Sequence, residues 1–275
     1  MANNTLIDVF NEYFEMVPAI SNDLKNEVYK LRYQVYCIEN NFESPNQFPD
    51  QLEFDSFDQR SIHYLIRHRK SGEYAATTRL ILPDVNKLEK LFPLELHCEI
   101  DNLAVLRTIN RAHLAEISRF CVSKTFKKRK NETQTLASAG SDWQNFSTQE
   151  ERRTFPHLTL ALIACFIRAS YENDVHYLYA TIEPSLLRFV SSAWNINFTK
   201  IGPLTNYHGE RWPSVIKVSD LLDGVAKKDL EIWDMLTNKG RFWPTKLIDK
   251  RVSHSASQHT SVEELLKPTT SSTTL

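Results

Sequence analysis

Glycine is scarce in this chain of 275 residues: six occur, at positions 72, 140, 202, 209, 224 and 240, and none are spaced to form a GxGxxG or GxxxxGK[ST] phosphate cradle. Rossmann and P-loop nucleotide binding are therefore disfavoured. A charge excess is missing too. Thirty-three Lys and Arg against 34 Asp and Glu leave a formal net charge of −1, so the chain lacks the overall basic field that non-specific nucleic-acid binding needs. No nucleic-acid partner is expected, and any basic surface must be local. The four cysteines (Cys37, Cys98, Cys121, Cys165) make no CxxC pair and sit among apolar neighbours, as buried free thiols of a reducing compartment do. Nine histidines give neither HExxH nor HxxxH, and no metal site is expected. The first helix-like stretch carries Asp8, Glu12 and Glu15 without a Lys or Arg, the wrong charge for a signal peptide. The longest apolar run, Leu158 to Ile167 broken only by Thr159, is about half of a membrane span. A cytoplasmic protein is the expectation.

What is present is the composition of an ordinary globular chain, 41% hydrophobic and 24% charged. Leu6, Phe10, Phe14 and Val17 draw an apolar stripe that predicts a short helix ended by Pro18. Leu24, Val28, Leu31 and Val35 predict a second helix to about Ile38, capped by Ser21 or Asn22, with Arg32 and Tyr36 together on a neighbouring face. Residues 40–58 read as an acidic loop. Ser61 to His68 and Tyr74 to Leu82 flank a Gly72 turn and predict a hairpin, and Leu114 to Val122 predicts a third strand. Helices are expected over His157–Glu172, Pro184–Trp194 and Ser219–Asn238, and strands over Val175–Ile182, Asn197–Ile201 and Trp212–Val218. Tight turns early and crossover helices late imply an α/β chain with a central mixed twisted sheet. A single domain over residues 1–252 is expected, with a polar, mobile surface insertion at about 124–156. A disordered Ser/Thr-rich tail over 253–275 would follow.

Three stretches hold charge where packing alone is a strained explanation. Arg32 lies among apolar residues in Leu31-Arg32-Tyr33-Gln34-Val35-Tyr36, where it either snorkels to solvent or serves a site. Glu53-Phe54-Asp55-Ser56-Phe57-Asp58 puts three carboxylates in one loop, either solvated with Asx turns or functional. In Ala115-Glu116-Ile117-Ser118-Arg119-Phe120-Cys121-Val122 a Glu and an Arg interrupt a strand that should be buried, which calls for a polar cavity nearby. On a regular strand Glu116 and Arg119 face opposite ways, so both can line one cavity only across a bulge, and a bulge is predicted here.

The LRxxVY helix, the ExDxxD loop, the Arg79-Leu80 pair that ends the hairpin and the E-x-SRF-x-V strand occur in one order. Together they resemble the acyl-homoserine-lactone synthases, a branch of the GNAT-like N-acyltransferase fold. They also resemble two relatives of that branch, the long-chain N-acyl amino acid synthases and the acyltransferases associated with the PEP-CTERM/exosortase system. Glu183-Pro184-Ser185-Leu186-Leu187-Arg188 and the Ile201-Gly202-Pro203…Tyr207-His208-Gly209-Glu210-Arg211 phrase resemble the exosortase-associated group most. The resemblance spans roughly residues 10 to 220. It implies a bacterial enzyme with the GNAT-like fold that moves a long-chain fatty acyl group from an acyl carrier protein, or acyl-CoA, to the amine of an amino acid or similar small acceptor. No tightly bound cofactor is implied beyond the thioester co-substrate.

The same resemblance implies a polar set of Arg32, Asp55, Asp58, Arg79, Glu116 and Arg119, with Tyr36, Phe42 and Ser118 beside the substrate. Glu116 is the candidate general base and Arg119 its partner in orienting the acceptor, and a backbone N–H at the bulge polarises the thioester carbonyl. The glycine-rich pyrophosphate loop of acetyl-CoA-dependent relatives is missing after the third central strand. Lys124, Lys127, Lys128, Arg129 and Lys130 stand there instead, a cluster suited to an acidic carrier protein, to solvent, or to anionic lipid at the inner membrane. Phe42 replaces a Trp of the autoinducer synthases, which weakens a reading as a lactone-forming enzyme that uses S-adenosylmethionine. A third reading is a non-catalytic module that binds acyl-lipid or carrier protein. The N-terminal helix and the apolar helix from Leu158 are expected either to flank an acyl tunnel or to be plain core.

Overall fold

The first apolar stripe folds as two elements. In the computed structural model, which describes residues 5–126 and 149–243 (backbone only over 149–157), helix α1 covers only Leu6–Tyr13, closed at its start by a Thr5–Asp8 capping box. Phe14 turns the chain into extended backbone, and β1 (Phe14–Pro18) pairs antiparallel with β2 (Ser61–His68) from Phe14↔His68 to Pro18↔Tyr64. The expected helix to Pro18 is thus corrected. Residues 14–18 also suit a strand, and the backbone bonds offered by the β2 edge outweigh one more helical turn. Pro18 is tolerated because β1 is the outermost strand of the sheet.

Helix α2 (Asn22–Tyr33), capped by Ser21, continues into a π-type turn over Gln34–Glu39. A short 3₁₀ turn, Ser56–Arg60, leads into β2, and β3 (Tyr74–Ile81) completes the hairpin. Small helices α3 (Pro93–His97) and α4 (Leu103–Leu106), which no periodicity announced, precede β4 (Leu114–Val122). Helix α5 begins at Gln149, ahead of the expected His157, and ends at Glu172. Then come β5 (Tyr177–Ile182), α6 (Pro184–Trp194), β6 (Thr199–Lys200), β7 (Thr205–Asn206) and β8 (Glu210–Lys217). The single last helix expected over Ser219–Asn238 is two, α7 (Val218–Lys228) and α8 (Leu230–Thr237). Asp229 is extended and its carboxylate caps the second by accepting from the N–H groups of Glu231 and Ile232.

The sheet runs β1-β2-β3-β4-β5-β8-β6, with β7 paired to β8. It is mixed as expected, but β4–β5 is its one parallel pair among the described residues, so most of it is antiparallel. Helix α5, buried from Leu158 to Ile167, packs over β2, β3 and β4 and forms the main core with α7 and α8. The core side chains of α3 and α4 (Leu94, Leu106) pack with Tyr179 in a second cluster. All four cysteines are buried free thiols. No helix of the described residues is long and apolar enough to cross a membrane.

Two irregularities of the sheet matter for function. Thr77 pairs with Cys121 and Arg79 with Ser118, so Thr78 alone faces two residues, Arg119 and Phe120: the predicted bulge, with Arg119 in the left-handed region at φ 49°. The β4–β5 pairing ends at Ile117↔Ala180. Beyond it Cys121 and Val122 stay with β3 while Thr181 and Ile182 stay with β8, and the two strands part.

Candidate active site

A cavity of about 940 Å³, its open mouth included, fills the gap where β4 and β5 separate. Its deep end is apolar, lined by Ile163 and Phe166 of α5 and by Leu186 and Val190 of α6. Its other end is polar, with Arg79, Glu116, Ser118, Arg119, His208 and Arg211. The bulge does what alternation alone forbids: it turns Arg119 to the same cavity as Glu116 and Ser118. Of the two helices expected to flank an acyl tunnel, α5 lines this cavity. Helix α1 does not; its Phe10 and Ile7 line a separate hollow with Met235 and Arg168.

Behind the polar end lies a buried ion network. Arg32, wholly buried, donates from Nε to Glu53 and from Nη1 to Asp58 Oδ1 at 2.7 Å. Arg79 reaches Asp55 at 2.7 Å, Asp58 at 2.8 Å and the hydroxyl of Ser118 at 2.8 Å. Arg119 binds Glu53 through Nη2 at 2.7 Å, lies 3.5 Å from Asp55, and covers the Tyr36 ring at 4.9 Å. The loop geometry follows from its sequence: Asp55 caps the 3₁₀ turn while Asp58 accepts from the Asp55 N–H, a capping box that aims both carboxylates at the arginines. Three arginines meet three carboxylates, so the network is balanced, which is what allows it to be buried. Burial alone would raise the Glu53 carboxyl, but Arg32 and Arg119 pull it down to about 2. Asp58 is driven down by Arg32 and Arg79 against the same penalty.

Glu53 was quoted within the sequence motif yet given no role, and it joins Arg32 to Arg119. Arg32 and Asp58 hold the site from behind without lining the cavity. Phe42 does not line it either; its ring packs 6.3 Å from Tyr36 and 6.0 Å from His208. His63, unremarked in the sequence, is buried 3.5 Å from Asp58, and burial together with Arg32 lowers it to about 3. Of the basic cluster, Lys124 is exposed and its backbone N–H donates to Glu39. Lys127, Lys128, Arg129 and Lys130 lie outside the described residues, as do the central part of the insertion and the tail.

Glu116 has a different environment. It is 1% exposed and accepts from the Leu94 N–H at 2.9 Å, one of the free N–H groups of the first turn of α3. Burial raises its carboxyl to about 8, against the lowering effect of that hydrogen bond. Arg111, which the sequence did not single out, fixes α3 in place through a bidentate pair with Glu95 and bonds to the Leu88 and Lys90 carbonyls. Its guanidinium stacks on the Phe92 ring at 5.0 Å.

The hairpin between β7 and β8 covers the mouth. Tyr207 stacks on His97 with centroids 4.6 Å apart, and Glu183, which opens the EPSLLR phrase, binds Arg211 at 3.1 Å. Glu183, Tyr207 and His208, from the two phrases that carry the later resemblance, are cavity wall. A separate group, His113, Asp174 and His176, presents three ligand atoms within 4.8 Å of one another at the opposite ends of β4 and β5. It is the cluster among the described residues that has the donors for a cation, and it stands apart from the cavity lining.

A bulged central strand parting from its parallel neighbour over a cleft is the architecture of the GNAT fold. Residues 31–137 match the acetyltransferase (GNAT) domain family. The chain has the GNAT-like acyltransferase fold. Among solved structures it is similar to TofI, crystallised in a ternary complex with an inhibitor and MTA, at 15% identity over 78% of this chain and 96% of that one, TM-score 0.50. FeeM, an N-acyl amino acid synthase from uncultured soil microbes, gives 15% identity over the same shares and TM-score 0.49. The acyl-homoserine-lactone synthase LasI gives 20%, 78%, 96% and 0.48. At these identities the likeness is one of fold. No curated protein matches the chain.

Proposed function

We propose that this protein transfers a long-chain acyl group from an acyl carrier protein, or from acyl-CoA, to the amine of an amino acid or similar small acceptor. The observation that carries the reading is the two-ended cavity at the β4–β5 gap: apolar walls of α5 and α6 for the chain, and Glu116, Arg79 and Arg119 at the end where a carbonyl and an amine would meet. The strands no longer pair there, so backbone N–H groups of the bulge lie beside the cavity, as polarising a thioester oxygen requires. Glu116 is the base. Ionised, a carboxylate raised to about 8 is strong enough to take a proton from an attacking amine, and its burial keeps competing water away.

The part of Arg119 and Arg79 is orientation, and the carboxylates behind them fix each guanidinium at one angle. Lys124 and the basic residues after it are the docking surface for the acidic carrier protein in this reading. The test is thiol release from long-chain acyl carrier protein beside the matching acyl-CoA, with an amino-acid pool and S-adenosylmethionine, and mass spectrometry of the products. An N-acyl amino acid supports the proposal. A lactone with methylthioadenosine replaces it by the autoinducer reading, and no thiol release from either donor overturns it.

A further inference from the structure

Aminolysis of a thioester has one more proton to handle than Glu116 can. A small amine with an ordinary basicity arrives as an ammonium ion. It must lose one proton before it can attack and a second as the amide forms, while the departing thiolate regains one. The sum is ammonium plus thioester giving amide, thiol and one proton released to water. Glu116 is 1% exposed and is already committed to passing a proton from nitrogen to sulfur, so it does not also carry the first proton out during a turnover. The surplus proton needs a second group that touches both the cavity and the outside.

His208 is that group. It lines the same cavity as Glu116 and Arg119, its side chain keeps 16% exposure, and its Nε2 lies 2.8 Å from Glu43 Oε1. A carboxylate on Nε2 makes that nitrogen the N–H of the neutral ring and leaves Nδ1 as the acceptor. Holding this arrangement requires backbone strain. His208 sits in the left-handed region at φ 53°, followed by Gly209 at φ 93°. The His208 carbonyl is pinned by Arg211 from Nη2 at 2.9 Å, and Arg211 is itself fixed by Glu183. The groups that face the ring from the elements around it are Glu43, Tyr36, Phe42 and its neighbour Tyr207, with Arg119 Nη2 3.9 Å from the Glu43 carboxylate.

We propose that the Glu43–His208 pair is the proton exit of the acyl-transfer site, taking the first proton from the acceptor ammonium and handing it to solvent. The proposal rests on the acyl-transfer reading above. In sequence, His208 Nδ1 takes the ammonium proton and the freed nitrogen attacks the thioester carbon. The C–N bond forms as the C–S bond breaks, and Glu116 carries the second nitrogen proton to the thiolate. His208 then returns its proton to water, and both residues end as they began.

The experiment compares two acceptors with the full-length protein and one thioester donor: an amino acid, which arrives protonated, and hydroxylamine, which arrives neutral at the same pH. His208→Ala is expected to slow transfer to the amino acid about 10²-fold or more, to change transfer to hydroxylamine less than about tenfold, and to be rescued by added imidazole. Glu43→Gln, which keeps a hydrogen-bonding side chain on the ring, should show the same pattern more weakly. Equal losses for both acceptors without imidazole rescue would make His208 an anchor of the hairpin and overturn the proposal, as would an unchanged rate. Wild-type protein that releases no thiol with either acceptor would instead overturn the acyl-transfer reading itself.

Discussion

Replacing Glu116 by Gln should make the protein more stable and, in the same molecule, nearly inactive. The folded state holds the Glu116 carboxyl in its protonated form up to about pH 8, whereas an unfolded glutamate ionises near 4.5. Below 4.5 both states carry the proton and the residue costs nothing. Between 4.5 and 8 the unfolded state gains an ionisation that the folded state resists, so stability falls by about 1.4 kcal/mol for each pH unit. At pH 7 the cost is about 3 kcal/mol by the same relation, and above pH 8 it levels off. Gln has the shape of the protonated acid, accepts the same Leu94 N–H bond, and carries none of this cost.

Urea and thermal unfolding of the wild type and Glu116→Gln between pH 5 and 9 measure it. The variant should gain on the wild type as pH rises, by roughly 6–12 °C in melting temperature at pH 7 for a domain of this size. Thiol release should fall by a factor of about 10² or more. A stability difference that is flat in pH, or a wild type more stable than the variant at pH 8, would mean that Glu116 is held as an anion. Burial would then not be what sets its ionisation.

The rate of the wild type itself should carry the same group: kcat/KM for acyl transfer should climb with pH and level off near 8, and an acid limb centred near the ordinary glutamate value would contradict the assignment. Arg32→Met leaves three buried carboxylates to two arginines, with Glu53 held by Arg119 alone and Asp58 by Arg79 alone, and should cost about 3–5 kcal/mol in chemical unfolding, with any surviving fold losing activity in proportion to folded fraction. Val190→Trp fills the apolar end of the cavity between α5 and α6. It should shift donor preference toward shorter acyl chains, each excluded methylene worth about 1–3 kcal/mol, read from a chain-length series. Gly202→Ala would set a Cβ 2.0 Å from the Glu99 carbonyl oxygen and should destabilise by at least about 1–3 kcal/mol, or fail to accumulate as soluble protein.

The parts of this structure that were legible in the sequence are those where local pattern and tertiary demand agree. The hairpin Ser61–Ile81, the strand Leu114–Val122 and helix α6 have clear periodicity and clear stops, and they form as read. The bulge was legible for a different reason: two charges of opposite parity on a buried strand have no other way to share a cavity, and the backbone at Arg119 is in the left-handed region as that requires. Residues 14–18 were misread because an apolar stripe at helical spacing says nothing about a waiting sheet edge. The break at Asp229 was missed because an aspartate inside a helical pattern is also an N-cap. Glu53 stands in the same ExDxxD motif as Asp55 and Asp58, and only the fold shows that it bridges Arg32 and Arg119. Arg111 and Glu95 carried no signal at all, since their pairing depends on a fold that brings a turn before β4 against α3.

The same geometry separates the residues that build the site from those that act in it. Arg32, Glu53 and Asp58 are buried members of a network balanced by Arg79, Arg119 and Asp55, so substituting any one leaves an uncompensated charge, and the loss is paid in folding. Glu116 has no ionic partner within that network and burial favours its neutral form, so replacing its carboxyl relieves the fold and, in the proposed reaction, removes the base. Sites selected for function commonly show this opposition between stability and rate. If the cavity were only a packing defect of an α/β core, Glu116→Gln would gain stability and change no reaction. A site that uses the Glu116 carboxyl, as the proposed acyl transfer does, makes the stabilised protein the inactive one.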